Sequence, residues 1–178
     1  TSISAGTLQV GGAGSLGTGA YAGAIALSTT QGDNAKLEYS SSAAQTLSGV
    51  ISGGNAANTV LVKDTGTGST LTLSGTNTFV GDTSISAGTL QVGGAGSLGT
   101  GAYAGAIALS TTQGDNAKLE YSSSAAQTLS GVISGGNAAN TVLVKDTDTA
   151  STLTVTGVNT FAGKTSVSAG VLAINADS

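Results

Sequence analysis

The chain has 178 residues, of which 27 Thr, 24 Ser, 29 Gly and 27 Ala make up 107. It has no Cys, His, Met, Trp, Pro or Arg, and five Lys against nine acids leave a net charge of −4. These absences exclude thiolate and imidazole zinc sites, imidazole-dependent nucleophile systems, disulfide frameworks and guanidinium clamps, and the charge is the wrong sign for nucleic acid.

The predicted elements are short strands. Ile3 lies in TSIS. Leu8 and Val10 alternate in TLQV, Ile25 and Leu27 in AIALS, and Leu37 and Tyr39 in KLEYS. Val60 and Val62 do so in TVLVK, and Leu71 and Leu73 in STLTLS. Apolar residues at i and i+2 fall on one face of an extended strand. Between the strands lie Ala5-Gly6, GGAGSLGTG, TTQGDN, SGGNAAN, DTGTG and GTN, whose Gly, Asn and Asp supply the positive φ of tight corners. No segment carries a helical stripe. Low charge, absent Pro and a mean hydropathy of +0.24 separate the chain from disordered sequences and fit a thin aliphatic core. No apolar run is long enough for a transmembrane helix. No basic, cleavable leader is visible and the first residue is Thr1 rather than Met, so an excised or processed piece is expected.

The whole order then recurs. TSISAGTLQVGGAGSLG begins at Thr1 and again at Thr83, and TSVSAGVLAI begins at Thr165, a period of 82. Residues 1–82 and 83–164 differ only at Gly66/Asp148, Gly68/Ala150, Leu73/Val155, Ser74/Thr156, Thr76/Val158, Val80/Ala162 and Asp82/Lys164. Residues 165–178 begin a third copy. Such self-similarity marks arrays and solenoids. A single continuous parallel β-solenoid over 1–178 is expected, with about 20–27 residues per coil and roughly seven or eight coils. Missing Pro agrees, because a strand paired on both sides needs every N–H. A β-sandwich per repeat is the competing fold. It is disfavoured because each repeat offers only Tyr21, Tyr39 and Phe79 as aromatic core.

Several motifs invite functional readings. Gly12, Gly14 and Gly17 form G-x-G-x-x-G, repeated at Gly94, Gly96 and Gly99, but residues 17–28 are poor helix formers, so a corner is expected rather than a dinucleotide fingerprint. Gly32-Asp33-Asn34 and Gly114-Asp115-Asn116 offer one carboxylate each, too few for Ca²⁺, and read as polar turns. Asp146 and Asp148 stand at i and i+2 as an acid/base pair would, yet Gly66 replaces the second acid in the first copy. Thr70-Leu71-Thr72 and Thr152-Leu153-Thr154 resemble ice-binding T-x-T pairs but recur only every 82 residues. Lys36 and Glu38 read as an outward, solvated pair.

Residues 71–93, LTLSGTNTFVGDTSISAGTLQVG, resemble the autotransporter-associated β-strand repeat. Leu71, Leu73, Gly75, Asn77, Thr78, Phe79, Gly81, Thr83, Ile85, Gly88, Leu90 and Val92 carry the likeness, and the second copy carries it from Leu153 to Ile174. Asn55-Ala56-Ala57-Asn58 and Asp64 depart from the usual flank. The resemblance implies a right-handed parallel β-helix in the passenger of a type V secreted, Gram-negative autotransporter. It implies display at the outer membrane or secretion, a role in adhesion, and membrane attachment only through a barrel domain outside these residues. It brings no catalytic residue.

No catalytic, cofactor-binding or metal-binding residue is therefore assigned, and no cofactor is expected. The expected role is a stalk that projects a distal binding region. Its partners are neighbouring repeats of the same chain and a host-cell or surface ligand that the sequence does not identify. The alternative is an array that binds copies of itself and aggregates cells, each repeat multiplying a weak contact.

Overall fold

The computed structural model describes residues 1–65, 68–146 and 150–175. The first repeat forms β1 (Ser2–Ile3), β2 (Thr7–Gly12), β3 (Ala20–Tyr21), β4 (Ile25–Leu27), β5 (Lys36–Ser41), β6 (Gln45–Leu47), β7 (Ile51–Gly53), β8 (Thr59–Lys63) and β9 (Thr70–Leu73). The second repeat forms β10 (Asp82–Ile85), β11 (Thr89–Gly94), β12 (Ala102–Tyr103), β13 (Ile107–Leu109), β14 (Lys118–Ser123), β15 (Gln127–Leu129), β16 (Ile133–Gly135), β17 (Thr141–Lys145) and β18 (Thr152–Val155). The third begins with β19 (Lys164–Val167) and β20 (Val171–Ile174). Short 3₁₀ turns, but no α-helix, occur among the described residues.

Among the described residues every strand pairing is parallel, and each links strands one turn apart. The chain is a β-solenoid. Its sheets are stacks of three, six, seven and four strands. The two tallest correspond to roughly six to seven turns, at the lower edge of the expected count. Turn length varies with corner size: Leu8 pairs Leu37, whereas Leu71 pairs Leu90.

The interior is a set of aliphatic ladders. Leu71, Leu90, Leu119 and Leu143 stack in register, and all are buried. Ile25 and Ile107 stack on Ile51 and Ile133. Burial comes from the turn that follows. Ile85 is 0 % exposed beneath β13, while its counterpart Val167 in the last turn is 49 % exposed.

One strand departs from the sequence reading. In β8, Val60 and Leu61 are both buried, Val62 faces outward in the Glu38–Val62–Ser84 ladder, and Lys63 points inward. The register shifts between Asp82 and Thr83 opposite Thr59 and Leu61, so one residue is bulged and alternation inverts after it. Val60 and Val62 do not share a face.

The repeat is not a whole number of turns. Among the described residues the first copy comprises nine strands plus residues 76–80, which occupy a further side without forming a strand. Thr78 and Val80 donate backbone N–H groups to Ile51 and Gly53 below, and Thr100 donates to Asn77 above. The resulting ten sides on a three-sided coil make three and one-third turns. Accordingly β1, β10 and β19, the same segment in successive copies, lie in three different sheets.

Candidate functional site: the repeat junction

Buried polar groups gather where the first repeat meets the second. Lys63 is 0 % exposed. Its Nζ donates to Thr65 O at 2.6 Å and to Ala87 O at 3.1 Å, and stands 5.9 Å from the Tyr39 ring centroid. Its own carbonyl accepts from Ser86 N at 2.7 Å. Burial pushes the ammonium down to about 8 from an ordinary 10.5, partly countered by Asp64. Carbonyl acceptors and a ring face thus replace a carboxylate partner. Lys145 repeats the arrangement over Tyr121, at 5.8 Å.

Asn77 is also fully buried. Its Oδ1 accepts from Ile51 N at 2.9 Å, and its Nδ2 donates to Gly75 O at 2.9 Å and Ser97 O at 3.1 Å. The side chain bridges the turns below and above, at the side where residues 76–80 form no strand beyond a single parallel bridge from Thr76 to Ser97. In the second copy Asn159 accepts from Ile133 N at 2.7 Å and donates to Gly157 O at 2.6 Å.

Beside it, buried Phe79 meets Tyr103 edge-on, with ring centroids 5.5 Å apart. The Tyr103 hydroxyl lies 2.8 Å from Thr83 Oγ1 and donates to Gly81 O. Burial holds the phenol well above its ordinary ionisation range. Backbones approach closely at one corner: a Cβ on Gly131 would stand 2.1 Å from Gly105 O, a place only glycine fits. Among the described residues no buried polar side-chain atom lacks a hydrogen-bond partner.

Outside, an open groove crosses the junction, lined by Asp64, Ser84, Ser86, Ser110, Thr111 and Asp115. An equivalent groove holds Ser2, Ser4, Ser28, Thr29 and Asp33. Asp33 and Asp115 each accept a hydrogen bond from the hydroxyl of Ser28 and Ser110. These acids are therefore turn residues that close TTQGDN. No group of three or more acids suited to a metal occurs among the described residues.

The other sequence motifs find plain positions. Gly12 and Gly17 adopt positive φ in the corner before a 3₁₀ turn at Gly17–Gly19, where a dinucleotide fingerprint would start an α-helix. Asp148 lies outside the described residues, so the Asp146–Asp148 pair has no geometry. Thr72 stands in an outward ladder with Thr46, Gln91 and Glu120, not in a row of threonines. Lys36 and Glu38 pair at 3.1 Å, and this contact, with help from Gln9, holds the Glu38 carboxyl below its usual range.

The inward Lys63, the Asn77 bridge and the role of Tyr103 were not read from the sequence. The available signals were the place of Asn77 among the twelve positions of the resemblance and, for Lys63, the departure of Asn55-Ala56-Ala57-Asn58 and Asp64 from the family flank around TVLVK.

Of the twelve positions that carry the resemblance in the first copy, eleven are buried and only Thr78 is exposed. The motif describes what faces the interior across a junction. Residues 64–92 and 150–174 match the family model of the passenger-associated-transport-repeat. The family model matches twice, once at each junction between units. The first match spans β9, residues 76–80, β10 and the start of β11, so the passenger-associated-transport-repeat coincides with the junction between successive 82-residue units. No curated protein and no solved structure matches the chain.

Proposed function

We propose that this passenger segment is the shaft of a surface-displayed or secreted adhesin and holds a distal binding region away from the cell. The observation that carries the reading is the continuity of the junction. β8 pairs β10 and β9 pairs β11 across it, in the same parallel geometry that joins turns within a repeat. Repeats joined in this way extend one rod rather than string separate domains on linkers, and stability sums over neighbour interfaces. The buried Lys63, Asn77 and Tyr103 at the junction spend their polar groups on backbone and side-chain partners inside the coil, and so serve stacking.

The outer face supports the same reading. One of its ladders is polar throughout, Thr46, Thr72 and Gln91, with Gln91 donating onward to Glu120. The distal region and the outer-membrane barrel belong to the proposal, not to these residues.

The experiment is in the full-length protein displayed on cells. Excising one 82-residue unit in frame shortens reach, so adhesion to a surface bearing a tall polymer brush falls while binding to the bare ligand surface is unchanged. If purified arrays of this segment clump cells in proportion to repeat number, the array is itself the adhesive element and the shaft reading fails.

A further inference from the structure

The three-and-one-third-turn repeat has a directional consequence. β1 belongs to the three-stranded sheet, β10 to the six-stranded sheet and β19 to the seven-stranded sheet. The next segment shifts in the same order: β2 is in the six-stranded sheet, β11 in the seven-stranded sheet, and β20 in the four-stranded sheet. The three- and four-stranded stacks occupy one side of the coil, because residues 76–80 connect β7 below to Thr100, just before β12, above. Two independent segments thus step round the coil by one side per repeat, and the third step returns to the starting side.

We infer that each repeat turns the rod by one third of a revolution, so that the number of repeats sets the direction in which the rod presents its surface and its distal end, as well as its reach. This rests on the shaft reading for its use, but not for its geometry. At about 4.8 Å per turn, one repeat advances ~16 Å, and an identical surface returns to the same side after ten turns, or ~48 Å. A flat partner laid along one side, including a second rod, meets equivalent groups once in three repeats. A partner that engages single repeats finds a copy on each of the three sides, such as the grooves at Asp33 and Asp115. Adding one repeat redirects the distal end; adding three lengthens the rod and restores its facing.

The chain lacks Cys, so paired labels are unambiguous. Ala26 in β4 and Ala108 in β13 are equivalent, exposed and outward, but belong to the three-stranded and six-stranded sheets. Gln9 is exposed in the same outward ladder as Ala108, through Glu38, Val62 and Ser84. Spin labels on Ala26→Cys/Ala108→Cys and on Gln9→Cys/Ala108→Cys are compared by pulsed dipolar spectroscopy on the whole chain. The first pair is separated by fewer turns along the axis but lies on two different sides. The inference requires the Ala26–Ala108 distance to be the longer of the two. An Ala26–Ala108 distance shorter than Gln9–Ala108 places both alanines on one side and overturns it. Neither result depends on adhesion, so failure of the turn is distinct from failure of the shaft reading.

Discussion

The Lys63 ammonium donates to the Ala87 carbonyl oxygen at 3.1 Å, and so reaches from one repeat into the next. A charge held inside a thin aliphatic coil costs desolvation, and two carbonyls with one ring face offset it. Lys63→Met keeps the stem and removes the donors. Buried Ala87 O then loses its side-chain donor, and the expected loss is about 1–3 kcal/mol in urea unfolding. Unchanged or greater stability would show that desolvation outweighs the clamp.

Lys63 also gives the fold a pH signature. Its folded pKa of about 8 lies below the ordinary 10.5. Between those values the unfolded chain binds a proton that the folded chain does not, so stability rises with pH across that window. Tyr103 and Tyr121 act in the opposite sense. Burial raises both, the folded chain keeps their protons longer, and stability falls once pH passes the ordinary phenol value of 10.0. Urea midpoints from pH 7 to 11 should climb and then drop, and Lys63→Met should flatten the climb. A monotonic fall from pH 8 would contradict this assignment.

Asn77 is the second interior hinge of the junction. Asn77→Ala removes a fully buried amide that serves Ile51 N, Gly75 O and Ser97 O. The expected cost is about 2–4 kcal/mol, from unpaired backbone groups and a small cavity. Asn159→Ala, at a partly buried site bonded to Ile133 N and Gly157 O, should cost less. Chemical denaturation of the two variants side by side checks the order.

The glycine corner is steric. Gly131→Ala drives a methyl to 2.1 Å from Gly105 O and should cost more than about 2 kcal/mol, because the clash is with backbone on the neighbouring turn. Gly114→Ala has nothing within 4 Å and should stay within about 0.5 kcal/mol of the parent. Thermal melts of both variants make the comparison; equal effects would mean the turns are not so closely stacked.

The fold was legible where period two is clean. Leu71, Leu73, Leu90 and Val92 alternate in the sequence and stack in the interior. The 82-residue identity likewise implied stacked turns. The register of β8 was not legible, because a bulge leaves no mark in residue types: TVLVK alternates Val60 and Val62, while the structure buries Val60, Leu61 and Lys63. An inward lysine reads as polar in any periodicity test. The third-turn advance was hidden for a related reason. One of the ten sides, residues 76–80, makes no strand and is held by Asn77, so counting alternating segments misses it. The candidate site was thus visible as a family motif but not as a set of contacts.

The stacking of one repeat on the next is tested most directly by a disulfide across the junction. Thr72 and Gln91 pair on neighbouring parallel strands, with Thr72 Oγ1 donating to Gln91 Oε1 at 2.9 Å. In Thr72→Cys/Gln91→Cys, mild oxidation should close an intramolecular disulfide in nearly all molecules with unchanged β-sheet circular dichroism, since adjacent strands hold Cα atoms about 5 Å apart. Free thiols, or disulfides only between chains, would place the two repeats in separate domains and contradict the continuous rod.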